Sequence, residues 1–426
     1  MRNKAVLFAI AIPLCLLLVA FVYYLPPVHD RLAWRIDALQ ASIQYALNPP
    51  EEVVFVPQAQ PTEGGIISAT STFTPGPTAT ATPPGPTPTP APTLTPTLSP
   101  TPLPESTNLT GIVHEYQKWN NCGPANLSMA LSFWKWQGSQ LDTAAYMKPN
   151  PRDKNVMPYE MEAFVEENTD LQAIVRVGGD LALLKQLIAA GFPVIVEKGF
   201  EGPNFDGWMG HYEVVNGYDD ARSRFTVQDS YIMADLPIPY EEMEKYWRAF
   251  NHTYIVIYPP DREAELLSIL GSQADETTNY QYAAQKASDE IYSLTGRDQY
   301  FAWYNRGTNL VHLQDYAGAA AAYDEAFALY PTLPEKERPW RMLWYQTGPY
   351  FAYYHSGRYS DVLNLANTTI ITANEPAIEE SWYWQAMAKS ALGDISGAIS
   401  DYRTSLKWHP EFDPTLSQLQ LLGVEP

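Results

Sequence analysis

One thiol in this chain stands where a nucleophile could be made. The run Tyr116-Gln117-Lys118-Trp119-Asn120-Asn121-Cys122-Gly123-Pro124-Ala125-Asn126 puts Cys122 at the entry to a segment, Pro124 to Trp136, that reads as a helix. Pro sits in its first turn, and Leu127, Ala130, Leu131 and Trp134 share one face. Free backbone N–H groups and the macrodipole at a helix amino terminus favour an anion, so a thiol there ionises readily. The thiolate is the form that attacks a carbonyl carbon. Gln117 carries a side-chain amide which, with the Cys122 backbone N–H, can converge on the oxyanion formed in that attack. One such donor is worth about 3 kcal/mol of barrier. The competing reading is a small buried core residue, and Gly123-Pro124 argues against it by setting the thiol on a turn.

Little else in the chain offers chemistry. The second cysteine, Cys15, lies inside an apolar run, so a disulfide with Cys122 is not expected. No Cys/His cluster has metal-ligand spacing and no Gly-rich phosphate loop is present, so neither a metal nor a cofactor is expected. With 27 Lys and Arg against 48 Asp and Glu the formal net charge is −21, which excludes nucleic acid as a partner: there is no cationic excess to displace counterions from phosphates.

The elements that must position Cys122 follow it. Met157 to Asn168 and Asp180 to Ala190 read as helices, the second closed by Gly191. Phe192 to Glu197, Tyr212 to Tyr218, Arg224 to Asp229 and Thr253 to Tyr258 are apolar or alternating runs that read as strands, and Pro259-Pro260 ends them. Helices first and strands afterwards make an α+β domain over residues 107–260.

Gln117, Cys122-Gly123-Pro124-Ala125 and Gly210-His211-Tyr212-Glu213-Val214-Val215-Asn216-Gly217-Tyr218-Asp219 together resemble the signature of cysteine-peptidase family 39, typified by peptidases that remove double-glycine leaders from bacteriocins. The match is nearer to its stand-alone, envelope-associated relatives that lack a transporter. The resemblance covers about residues 110–258 and implies a papain-like fold, with Cys122 as nucleophile, His211 as general base and acid, Asp229 as orienting acid and Gln117 in the oxyanion hole. A hairpin centred near Ala221 would set Asp229 opposite Glu213, hence diagonal to His211 on one face. Glu213 departs from the apolar residue usual after Gly-His-aromatic and brings the charge preference of the cleft into question. Loops including Lys198 to Met209 are expected to shape that cleft. His114 reads as a surface residue, His252 as core, Asp219 and Asp220 as turn carboxylates, and His29, His312, His355 and His409 as structural.

Outside this region the chain divides by composition. Ala5 to Leu25 is an uncharged apolar run long enough to span a membrane, preceded by Arg2 and Lys4 and followed by no cleavage site. Residues 1–27 are therefore expected to be a cytoplasmic tip and a retained transmembrane signal anchor, single-pass, with the bulk of the chain outside the cytoplasm at a bacterial cell surface. Leu32, Ile36, Leu39, Ile43 and Leu47 predict one amphipathic juxtamembrane helix within 28–56, ending at Pro49-Pro50. Residues 57–106 are nearly all Pro, Thr, Ser, Ala and Gly and read as a disordered stalk, able to reach roughly 100 Å when extended. From 261 to 426 the pattern is helical throughout. Trp303, Gly307, Tyr316, Ala319, Tyr323, Ala326 and Pro331 fit a tetratricopeptide repeat. So do Trp382, Gly393, Ala398, Tyr402 and Pro410, with a degenerate copy at Tyr353, Gly357, Tyr359 and Ala366. A generic helical bundle is the alternative. The expected molecule is a surface cysteine peptidase acting on a peptide or protein, with repeats that bind a protein or peptide partner in their concave face. Its rivals are an acyltransferase or amidase using the same residues, and an inactive adaptor working through the repeats.

Overall fold

The structure, a computed structural model, describes residues 21–24, 43, 54–58, 102–150, 152–201, 207–373 and 375–426. The expected spanning helix over 5–25, the juxtamembrane helix and the Pro/Thr-rich stretch lie wholly or mostly outside them. Among the described residues no helix is long and apolar enough to cross a membrane. The described residues from Pro104 on belong to one compact unit together with Val54–Pro57.

A seven-stranded sheet organises the first half of that unit. Its strands are β1 (Ser106–Asn108), β2 (Gln172–Arg176), β3 (Val194–Phe200), β4 (Met209–Asp219), β5 (Arg224–Gln228), β6 (Leu236–Pro239) and β7 (Tyr254–Tyr258). They run in the order β2-β7-β3-β4-β5-β6, with β1 added to the far end of β4, and every pairing is antiparallel. The residues facing inward are the Val, Ile, Tyr and Phe that favour a pleated, buried surface. One face packs on α1 (Cys122–Phe133), α2 (Gln140–Met147) and α3 (Pro158–Asn168) through Leu127, Leu131, Phe164, Ile195 and Val214. The other packs on α4 (Leu181–Ala189), α5 (Tyr240–Trp247) and α6 (Glu263–Leu270) through Leu184, Val196, Val215, Trp247 and Leu266.

One irregularity decides the site. Near the turn, Gly217 pairs with Thr226 and Tyr218 with Phe225, whereas further out Val215 pairs with Val227 and Val214 with Gln228. The extra residue, Asn216, is a β-bulge, and its polar groups are satisfied: its Nδ2 donates to the Leu109 carbonyl at 3.0 Å and its carbonyl accepts from Leu109 N at 2.7 Å. Carried one step past Val214–Gln228, the outer register places Asp229 opposite Glu213 and diagonal to His211. The inner register, continued without the bulge, would have turned Asp229 to the opposite face.

The helices continue as α7 (Glu276–Ser293), α8 (Gly296–His312), α9 (Tyr316–Leu329), α10 (Gly348–His355), α11 (Tyr359–Thr372), α12 (Glu379–Ala391), α13 (Ile395–Trp408) and α14 (Asp413–Leu421). Small residues set the close approaches. A Cβ at Gly307 on α8 would stand 2.7 Å from the Tyr323 ring on α9. The sheet and the first of these pairs share one core, in which Trp208, Ala249 and Phe250 meet Phe301, Tyr304 and Met342. Polar bonds cross the same junction: Arg341 Nη1 donates to the Trp208 carbonyl at 2.7 Å and Gln346 Nε2 to the Ala249 carbonyl at 2.8 Å. A Cβ at Gly210, next to His211, would meet Phe250 at 2.7 Å and Tyr345 at 3.0 Å. The strand that carries His211 thus begins against the helical region.

Candidate active site

Cys122 is the first residue of α1, half-buried, with the turn before it held open by Asn120 at φ 52°. Asparagine tolerates that left-handed conformation better than most side chains. Lys148, buried, donates to the carbonyls of Asn120 at 2.9 Å and Trp119 at 3.4 Å and so fixes the approach to the thiol. His211 on β4 stands beside the Cys122 sulfur, close enough to act on its ionisation. Its Nε2 lies 3.3 Å from Asp229 Oδ2, which leaves Nδ1 for the thiol. The imidazole is stacked by Phe200, ring centroids 4.6 Å apart. Asp229 is buried, and its second oxygen accepts from the backbone N–H groups of Tyr231 and Ile232, at 2.6 Å each.

The electrostatics of these three groups reinforce one another. Burial would raise the Cys122 thiol, but the hydrogen bond and charge of His211 outweigh it and bring the thiol below 9.0. Burial would lower His211, but the Asp229 carboxylate, and then Cys122, push it up to about 10. Asp229 is held well below the carboxylate range: burial opposes ionisation, and the charge and hydrogen bond of His211 override it. Glu197, buried on β3 near the thiol, has its carboxyl pushed up, by burial first and also by the charge of Cys122.

Gln117 is fixed by its carbonyl end. Its Oε1 accepts from Ser230 Oγ at 2.9 Å and its backbone N–H donates to the Ser230 carbonyl at 2.8 Å. Ser230 Oγ in turn lies 3.0 Å from Asn126 Nδ2, an atom that also reaches the carbonyls of Cys122 at 2.9 Å and Tyr212 at 2.7 Å. With the oxygen engaged, the Gln117 NH2 is the end of the amide left to donate. The Cys122 N–H, at the first position of a helix, has no intrahelical acceptor.

The structure thus brings Cys122, His211, Asp229 and Gln117 into one place. Three supporting residues, Asn126, Ser230 and Lys148, were not singled out in the sequence. Only Asn126 carried a signal, one helical turn after Cys122. Three expectations are corrected. Glu213 is not a cleft-lining charge: it is buried beside His211 and Asp229 with one carboxylate oxygen 2.6 Å from Lys198 Nζ. Lys198 to Phe200 are strand rather than variable loop, because Lys198 is the buried partner of Glu213 and Phe200 the ring under His211. His114 is half-buried rather than superficial, its Nε2 2.9 Å from the Asp229 carbonyl. His252 is buried core, 3.0 Å from Glu244. His312 stacks on Tyr280, His355 on Tyr316, and His409 pairs with Glu379, while His29 lies outside the described residues. Asp219 and Asp220 cap the turn, bound to Arg222 and to Lys185.

Among the described residues three groups bring carboxylate and imidazole ligand atoms within 4.8 Å: His211, Glu213 and Asp229; Asp153, Glu379 and His409; and Glu244, His252 and Glu290. Lys198 lies against the first, 2.6 Å from Glu213, and Arg248 against the third, 3.1 Å from Glu290, while within the second His409 lies 3.1 Å from Glu379.

Residues 109–255 match the family described as "Peptidase_C39 like family", and residues 300–333 and 379–412 match tetratricopeptide repeats. No curated protein matches the chain. Similar solved structures include a C39-like peptidase from Bacillus anthracis, 17% identical, covering 36% of this chain and 96% of that one at a TM-score of 0.30. The peptidase domain of Streptococcus ComA, a bifunctional ABC transporter involved in quorum sensing, is 14% identical over 35% of this chain and 99% of that one, TM-score 0.29. Xylellain, a cysteine protease from Xylella fastidiosa, is 16% identical over 37% and 87%, TM-score 0.29. The chain carries a C39-like peptidase domain followed by two tetratricopeptide repeats.

Proposed function

We propose that this protein is a membrane-anchored thiol peptidase with a papain-like catalytic domain, working outside the cytoplasm on a peptide or protein substrate. The observation that carries the reading is His211, 3.3 Å from Asp229 and close enough to Cys122 for the two to shift each other's ionisation. In the proposed reaction the Cys122 thiolate, its proton on His211, attacks the scissile carbonyl. Negative charge moves to the carbonyl oxygen, where the Gln117 NH2 and the Cys122 N–H donate to it. His211 then protonates the leaving amine. It afterwards takes a proton from the water that releases the acyl group and frees the thiol. The repeats supply a surface for a protein or peptide partner.

Cleavage of a peptide library by the detergent-solubilised full chain tests this. Cleavage should vanish in Cys122→Ala, and Gln117→Ala should lower kcat by about 10²–10³ while leaving KM nearly unchanged, because the lost donor acts on the oxyanion and not on the ground state. Cleavage that persists without Cys122 would overturn the reading. The membrane orientation rests on the apolar run 5–25 and the charges before it. Cys122 is the one cysteine outside that run, so a membrane-impermeant maleimide added to intact cells should label it. Labelling that requires lysis would place the domain inside.

A further inference from the structure

Val54 to Gln58 run without helix or strand structure against the helical region, far in sequence from what they touch. Their side chains alternate: Phe55 is buried, Val56 is 72% exposed and Val54 is partly buried against the same apolar cluster. The Phe55 ring meets Phe327 of α9 edge-on, centroids 5.0 Å apart, and Tyr353 of α10 at 6.1 Å. Phe55 also forms one wall of a small, open cleft of about 50 Å³ whose other walls include Tyr300, Tyr330, Met342, Leu343 and Leu365. The ring is seated on α9 and α10, and the cleft beside it is walled on its other side by Leu365, Thr368 and Thr372 of α11.

We propose that this groove is a peptide-binding site, and that its resident ligand is the chain's own Val54–Pro57 segment, with Phe55 as the anchor. The chemistry of both partners fits. Val53 to Val56 is the longest uninterrupted apolar run between Leu47 and Leu109, and β-branched residues with a following proline hold a chain extended before it binds. Little order is therefore lost on docking. A single buried aromatic ring in an apolar pocket is the usual anchor of such an interface. The groove accordingly selects an extended peptide with an aromatic residue between β-branched ones. An outside ligand of that kind must displace a tethered competitor whose effective concentration is on the order of millimolar.

The consequence alters the part assigned to residues 57–106. With Phe55 seated, Val54–Pro57 and the residues from Pro104 on belong to one folded body, so residues 57–106 are not the connection that sets that body's distance from residues before 54. The body is held at the end of the juxtamembrane stretch by a noncovalent latch. This conclusion is independent of whether Cys122 is a nucleophile.

The test uses the detergent-solubilised full chain with an amino-terminal affinity tag and a specific protease site inserted among residues 80–90. After cutting, the body comprising residues 104–426 should stay on the tag's resin in the wild type and elute in Phe55→Asp. Val56→Asp, which alters an exposed side chain of the same segment, should behave as wild type. A fluorescent peptide spanning 52–58 should bind Phe55→Asp at least about tenfold more tightly than uncut wild type, because only the variant has a vacant groove. This second measurement also answers a Phe55→Asp chain that fails to fold, since that chain would bind no peptide while the cut wild type still retained its body. Release of the wild-type body on cutting, or equal peptide binding by both chains, overturns the proposal. Co-purification of an untagged copy with a tagged one, lost in Phe55→Asp, shows the segment passing between copies and overturns the intramolecular latch.

Discussion

Iodoacetamide should alkylate Cys122 faster in the wild type than in His211→Ala at every pH below about 9, and the wild-type rate should level off at a lower pH. Each unit of thiol pKa changes the thiolate fraction about tenfold, so the expected difference at about pH 6.5 is about tenfold or more. Burial is the largest influence on the sulfur and raises its pKa; His211 first, then the Tyr212 backbone and the Lys148 charge, together reverse it. Removing His211 leaves burial opposed only by weaker contributions, so the thiol moves to or above its ordinary 9.0. The sign on the other limb is fixed by the imidazole. Its folded pKa of about 10 means that the cation persists through neutral pH and is lost only as pH rises through that value. Asp229→Asn should fall between the two, since it removes the carboxylate that sustains the imidazolium while keeping the hydrogen-bonded frame. The readout is mass spectrometry of the Cys122 peptide, which separates it from Cys15. Equal labelling of wild type and His211→Ala at about pH 6.5 would show that the thiol is inert core and that the proposed peptidase is not one.

What could be read beforehand was whatever is encoded at short range. Cys122 and Gln117 sit in one turn-and-helix segment, so their residue types and spacing already implied a thiolate and an oxyanion donor. The helical region likewise repeats a fixed pattern of small and aromatic residues, visible as Gly307 against Tyr323 and again as Ala398 and Tyr402. The His211–Asp229 pairing was only conditionally legible. It needs the register on the outer side of Asn216, and a bulge leaves no clear mark in an alternating strand. The short edge elements β2 and β6 and the helices α2 and α5 were missed, being too brief or too polar to show a period. Lys148 and Ser230 could not have been identified, because long-range packing alone brings them to Cys122 and Gln117. Phe55 was hidden for a related reason: its segment has no structure of its own and acquires meaning only from Phe327 and Tyr353, nearly three hundred residues away.

Lys198→Met should destabilise the fold by about 3–5 kcal/mol at about pH 8.5 and by much less at about pH 5. The pair it breaks is buried on both sides, with side-chain exposures of 3% and 1% for Lys198 and Glu213. Surface ion pairs are worth under about 1 kcal/mol, but one member of a buried pair left alone keeps its desolvation cost without its partner. Glu213 is already pushed up to about 7: burial is the main cause, Lys198 offsets part of it and Asp229 adds to it. Without the ammonium its folded pKa rises further above the unfolded value. A raised carboxyl pKa means the native state binds the proton more tightly, so stability is kept below the unfolded pKa and falls as pH rises through the folded one. At about pH 5 the carboxyl is neutral and little is lost; at about pH 8.5 either a lone buried anion or a forced protonation must be borne. Lys198→Met with Glu213→Leu removes both charges and should return within about 1 kcal/mol of wild type at either pH, as replacing a whole buried pair usually does. The measurement is urea denaturation of the three chains at the two pH values. A single-variant cost that is flat with pH, or a double variant as unstable as the single, would show that Lys198 serves packing and not the charge of Glu213. The outcome bears on the site directly, because Glu213, Asp229 and His211 share one buried cluster and the state of the first sets the field in which the other two ionise.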